Sequence, residues 1–244
     1  MFRHNGKTRT FKHNLRLAVL LSFIAGLVNI TGVLELKVLT TNVTGHFAFF
    51  AEELVLKHYS LAMSFLLFIF AFLLGSFCSN FIAEYYIKKG TSSAHKYPMF
   101  LEIALLFIIG ALGSTLIKNG LSDTVLASIL LFSMGMQNSL VTQISSSTVR
   151  TTHLTGLFTD LGIELSQLFF YKRKEQREKL TQSIELRLAI IICFFIGCVI
   201  GGFLYSVLSL RILILASAFL AIALVYDVLL LKYYKLYRKK TLKI

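Results

Sequence analysis

Four stretches of this chain, residues 17–34, 59–83, 124–149 and 188–210, contain no charged side chain. Each reaches the roughly 18–20 apolar residues that a helix needs to cross about 30 Å of hydrocarbon. Two further apolar runs carry one acid each: residues 98–117 hold Glu102 and residues 212–231 hold Asp227. Pro98 suits the first turn of the helix it opens, where its missing N–H costs nothing. Read together, these runs predict an all-α polytopic membrane bundle of six spans. The rest of the composition agrees. Apolar types make up 56% of the 244 residues and charged types 15%, against about 45–50% and 25% in soluble domains. That balance excludes disorder and a small disulfide scaffold. Cys78, Cys193 and Cys198 all lie in apolar runs and read as small buried hydrophobes. The first run follows Arg3, Lys7, Arg9, Lys12 and Arg16 like a signal peptide's, but no small-residue cleavage site follows it, so it reads as an uncleaved span.

The formal charge of +13 is gathered in clusters between apolar runs. This fits the bias that orients membrane helices better than it fits a nucleic-acid partner. With the N-terminus inside and six spans, 21 Lys and Arg fall on the inner side and 4 on the outer. Eight spans would give 19 and 6. Six spans with both termini cytoplasmic is therefore the expected topology. The charged stretch 172–179 then reads as a solvated helix, and the basic tail 232–244, with Tyr233, Tyr234 and Tyr237, as a segment lying on anionic headgroups.

Two moderately apolar segments remain, and they resemble each other. TTNVTGHFAFFAEEL (residues 40–54) and TTHLTGLFTDLGIEL (residues 151–165) share seven of fifteen positions at an offset of 111. Upstream, Gly26 and Asn29 match Gly135 and Asn138 at an offset of 109; downstream, FLLG (72–75) matches FFIG (194–197). The order is the same twice: span, Thr-Gly segment, span, span. The chain thus divides into a first repeat, residues 15–117, and a second, residues 123–232. Three spans per half is an odd number, so the halves insert with opposite orientation, a plan found in secondary transporters. Each Thr-Gly segment is expected to be a re-entrant or short helix, over residues 42–56 and 153–170, about 22 and 27 Å long at 1.5 Å per residue. The second figure is nearly a full span and is the best argument for eight.

A helix that starts within the membrane leaves N–H groups without intrahelical partners, tolerated only where protein, water or a ligand satisfies them. Thr40, Thr41, Thr151 and Thr152 are N-cap candidates. Thr44, Gly45, Thr155 and Gly156 would let a ligand approach the backbone closely, and the positive helix end favours an anion. The alternative is that these small residues only pack helices together. Asn29, Gln137 and Asn138 are amides inside spans and need partners, across helices or in a central cavity. His46 and His153 stand at the helix starts, as structural or substrate-binding groups. Glu53 and Glu164 recur in both segments, and Asp160 shares a helix face with Glu164. These three are candidates for proton or ion coupling, unless they pair with Lys57 or Lys172. Glu102 and Asp227 are expected near the cytoplasmic interface, where snorkelling would suffice.

The stretches AGLVNITGVLEL and TNVTGHF (within residues 25–47) and GMQNSLV and TVRTTHLTGLFTDLG (within 135–162) are similar to the YoaK-like family of bacterial membrane proteins, over nearly the whole chain. The resemblance implies a polytopic inner-membrane protein with six spans and supplies no catalytic residue. Two positions depart from the family's pattern: Asn29 stands where it usually has Asp, and His46 where it usually has Asn. The expected function is a secondary carrier of a small polar or anionic solute, whose partners are the bilayer and that solute. No H-E-x-x-H, G-x-S-x-G or nucleotide loop is present, so an enzyme is not expected; Ser147 with His153 is weak evidence for one. A scaffold or receptor subunit is the rival, and it would lack a continuous polar cavity. No cofactor or metal is expected. Gly197, Gly201 and Gly202 could pack a neighbouring helix, within the chain or in a homo-oligomer.

Overall fold

A computed structural model describes residues 10–91 and 93–241, with the side chains of residues 227, 228 and 230–241 left out. Asp227, the side chains of the basic tail and Arg3, Lys7 and Arg9 thus lie outside the described residues. The described residues are all helix and connection: α1 (Phe11–Leu36), α2 (Val43–Val55), α3 (Tyr59–Lys88), α4 (Lys96–Lys118), α5 (Asp123–Ser145), α6 (Leu154–Phe170), α7 (Lys174–Leu208) and α8 (Ile212–Thr241). Five stretches are long and apolar enough to cross a membrane: α1, α3, α4, α5 and Lys174–Tyr226. The last holds two helices. Its backbone leaves helical geometry at Ser209 (φ 46°, ψ −134°), and a 3₁₀ turn over Ser209–Arg211 leads into α8. The two Thr-Gly segments form α2 and α6, within a residue of the limits expected from their pattern.

α1 and α5 form the centre. About two thirds of their apolar windows are buried, 67% and 61%, against 22–28% in the other stretches. The outer helices turn large apolar side chains outward, such as Leu73 and Phe77 on α3 and Phe195 and Phe203 on α7. A surface of this kind is compatible with hydrocarbon and not with water.

Glycine decides how closely the helices approach. α1 crosses α7 where Gly26 and Gly197 face each other: a Cβ on Gly26 would sit 2.2 Å from the Phe194 carbonyl oxygen, and one on Gly197 would sit 2.2 Å from that of Phe23. α3 crosses α5 through the corresponding residues. There Gly75 would meet the Phe132 carbonyl at 2.0 Å and Gly135 that of Phe72 at 2.2 Å. Gly201 packs on Leu27 and Ile30 of α1, so the glycine stripe of α7 serves a contact inside the chain. Tyr205 Oη donates to the Glu35 carboxylate, which places the C-terminal ends of α1 and α7 together. Gln143 Nε2 donates to Glu84 Oε1 (3.1 Å), doing the same for α3 and α5. Each pair is therefore parallel. The start of α8 lies on the far end of α4, where Gly113 abuts Leu210 and Gly110 abuts Ile214. Since α8 runs back from that end, α4 and α8 are antiparallel.

The exits from α1 and α5 also correspond. Each closes on a residue in the left-handed region, Lys37 (φ 58°) and Ser146 (φ 51°), 109 positions apart. From there the chain turns back along the helix it has just left.

Candidate functional site

The returning strands are tied to α1 and α5 by the intramembrane amides. Thr41 Oγ1 donates to Asn29 Oδ1 (3.0 Å) and Thr152 Oγ1 to Asn138 Oδ1 (2.8 Å), with Thr151 Oγ1 near the same oxygen at 3.4 Å. Asn29 and Asn138 each lie seven residues before the last residue of their helix. At 1.5 Å per residue, α2 and α6 therefore begin about 10 Å back from those helix ends. The Thr residues do not cap α2 and α6, contrary to the reading of the sequence. The hydroxyls of Thr41, Thr151 and Thr152 serve the amides, Thr40 is buried, and the N-caps are Asn42 and His153. Asn42 Oδ1 accepts the Gly45 N–H at 3.0 Å. The His153 ring occupies the space where a Gly156 side chain would be, its nearest atom 2.3 Å from an added Cβ. Both conserved-looking glycines of the repeat thus make room for the cap side chain of their own helix. Asn138→Ala should remove the tie to Thr152 and cost about 1 kcal/mol, read as a lower unfolding temperature in detergent.

Between the two helix starts lies a cavity of about 530 Å³. It brings together Asn29, Thr41 and Thr44 from the first half with Asn138, Thr142, Thr152, His153 and Thr155 from the second. Arg150, which the motif search passed over, also lines it. A second cavity, of about 260 Å³, shares Arg150 and His153 with the first and continues to Gly156, Asp160, Ser183 and Arg187. A third polar hollow, including Ser76 and Asn80, shares Asn138 and Thr142 with the central one. Each neighbouring hollow therefore shares polar lining residues with the central one.

Several candidate residues are elsewhere. His46 is buried; its Nε2–H donates to the Leu39 carbonyl at 2.7 Å and its ring packs on Phe65 and Phe68. It holds the returning strand. Gln137 is fully buried and faces Glu102 of α4, whose carboxyl is buried as well and does not snorkel. No hydrogen bond of good geometry joins the two side chains. The acids of α2 and α6 pair with neither Lys57 nor Lys172. Glu53 bonds His58 Nδ1 (2.8 Å). Glu164 holds Arg187 through two bonds, Nε to Oε2 at 2.8 Å and NH2 to Oε1 at 3.0 Å, and accepts the Ser183 hydroxyl at 2.6 Å. Asp160 accepts Arg187 NH1 at 2.8 Å. Arg187 is hard to find in sequence because it stands beyond the charged stretch 172–179, directly before the apolar run that opens at residue 188, and belongs to no motif. Arg150 leaves a clearer trace: VRTTH at 149–153 aligns with VLTTN at 38–42, so a charge replaces Leu39 within the repeat.

A match to the model of the family described as "Protein of unknown function (DUF1275)" covers residues 17–226. The chain belongs to the DUF1275 family. This DUF1275 member is also 27% identical over 189 residues to the UPF0700 transmembrane protein YoaK of Bacillus subtilis (strain 168), an alignment covering 74% of this chain and 79% of that protein. No solved structure matches it. With that transmembrane relative and its apolar helices, the DUF1275 chain is a multi-pass membrane protein.

Proposed function

We propose that this protein is a secondary carrier of a small polar solute in the bacterial inner membrane, built as an inverted duplication with six spans and cytoplasmic termini. The observation that carries this reading is the central cavity: two short helices, one from each half, begin at it and present Thr44 and Thr155 to it. Helix directions support the topology. α1 and α7 are parallel, as are α3 and α5, while α4 and α8 oppose each other. Six crossings, with α2 and α6 entering and leaving on one side, give all three relations. Eight crossings would make α4 and α8 parallel. The halves, residues 15–117 and 123–232, use corresponding residues at both glycine crossings, both Thr–Asn ties and both left-handed exits. A scaffold would have no need of a polar hollow at that place.

Cysteine accessibility tests the proposal in a variant lacking the native cysteines. Single cysteines at residues 90, 120 and 175 should label from inside, outside and inside; eight spans would label outside, inside and inside. Thr44→Cys and Thr155→Cys line one cavity, and a carrier opens it to each side in turn, so each should react with impermeant reagents from either side of the membrane. Labelling of both from one side only would remove the carrier reading.

A further inference from the structure

The two halves line the central cavity with matched neutral groups: Asn29 with Asn138, Thr41 with Thr152, Thr44 with Thr155. The match breaks at two places. Leu39 faces the cavity from the first half and Arg150 from the second; Asn42 faces it from the first and His153 from the second. All the formal charge of the cavity therefore comes from one half, and it is positive. No Asp or Glu lines it.

Among the described residues Arg150 makes no ion pair, whereas Arg187 is committed to Glu164 and Asp160. The start of α6 lies beside Arg150. Asn42 caps α2 by accepting the Gly45 N–H, but His153 makes no such side-chain bond to α6. The first-turn N–H groups of α6 therefore keep their positive end without a side-chain acceptor, next to a guanidinium without a counter-ion. Arg150 is exposed, so its guanidinium is open to a solute that enters the hollow. A guanidinium fork matches the two oxygens of a carboxylate or phosphate, and hydroxyls and amides complete the shell.

We infer that the central cavity binds an oxyanion, a carboxylate or phosphate group, with Arg150 as its anchor. This rests on the carrier reading and narrows its solute to anions. The structure matches the size too: about 530 Å³ is within the range of small-molecule sites.

The test uses the full chain with Thr44→Cys in place of the native cysteines, in phosphatidylcholine nanodiscs, and follows the rate of maleimide labelling. Inorganic phosphate, acetate, chloride and neutral sorbitol are compared at matched ionic strength. Phosphate or acetate should slow labelling by about tenfold, equivalent to about 1.4 kcal/mol. Arg150→Gln should abolish the protection, and Arg150→Lys, which keeps the charge, should retain part of it. Nanodiscs containing phosphatidylglycerol separate the sources: protection by that lipid without added ions supports the oxyanion site and assigns it to a headgroup. Protection by sorbitol as strong as by the oxyanions, or full protection in Arg150→Gln, overturns the inference and leaves a carrier of neutral solutes. No protection by any probe, with Thr44→Cys and Thr155→Cys labelled from one side only, overturns the carrier reading with it.

Discussion

Gly75→Ala or Gly135→Ala should lower the stability of the protein by about 3 kcal/mol, the upper part of the range for overpacking a tight interior. The reason is local. A single added methyl group at Gly75 lies 2.0 Å from a backbone carbonyl oxygen, and at Gly135 it lies 2.2 Å from another. Backbone cannot rotate aside as a side chain can, so α3 and α5 must separate along the crossing. In a bilayer that loss is not offset by a hydrophobic gain, because lipid chains are as apolar as the packed helices; close backbone contact is what holds such helices together. The same argument applies to Gly26 and Gly197 on α1 and α7. Doubling the substitution within one crossing should cost less than twice as much, because the first methyl group already parts the helices. Gly162→Ala is the control: nothing lies within 4 Å of its added Cβ, and Ala favours an exposed helix by up to about 1 kcal/mol. Unfolding in mixed detergent reads all of these, and equal effects at Gly75 and Gly162 would refute the close-packed crossing.

Arg187→Gln should cost about 2–3 kcal/mol. Arg187 is 22% exposed and Glu164 13%, joined by two bonds. Losing the guanidinium leaves the Glu164 carboxylate half-enclosed between α6 and α7 without its cation. A fully buried pair broken in this way costs roughly 3–5 kcal/mol, and the remaining exposure of Arg187 lets water recover part of it. Asp160 is 51% exposed, so Asp160→Asn should cost at most about 1 kcal/mol. Adding Glu164→Gln to Arg187→Gln should restore most of the loss, since both charges are then gone. The α6–α7 contact has a small apolar cluster of its own, Leu161, Leu180 and Ile184, so the helix should detach locally before the bundle unfolds. Protease nicking near residue 172 would show this. An Arg187→Gln chain that resists protease as wild type does would mean the pair contributes nothing measurable.

These two effects differ in how far the sequence announced them. The glycine crossings were half legible. FLLG and FFIG, and the Gly-x-x-Asn pairs, could be aligned by eye, but which glycine met which helix could not. The short helices were legible almost to the residue, because polar Thr-Thr-Asn and Thr-Thr-His stretches interrupt an otherwise apolar pattern. Their caps were misassigned, since Thr and Asn are both good caps and only the position of Asn29 and Asn138 one helix away shows that Thr41, Thr151 and Thr152 are already engaged. His46 read as a possible ligand and is a structural tie, because the carbonyl it bonds belongs to a strand whose path depends on the whole fold.

Run length and repetition are properties of the chain itself, so the apolar helices, the two Thr-Gly helices and the matching of residues across the halves could be read without coordinates. Partners in space are not. Arg187 meets Glu164 across 23 positions, and Arg150 lines one cavity with Asn29 across 121. Which of these side chains meet is set by how far each helix is rotated when backbone meets backbone at the glycines. A rotation of one residue, about 100° at 3.6 residues per turn, would send the same charge to lipid instead of to a cavity.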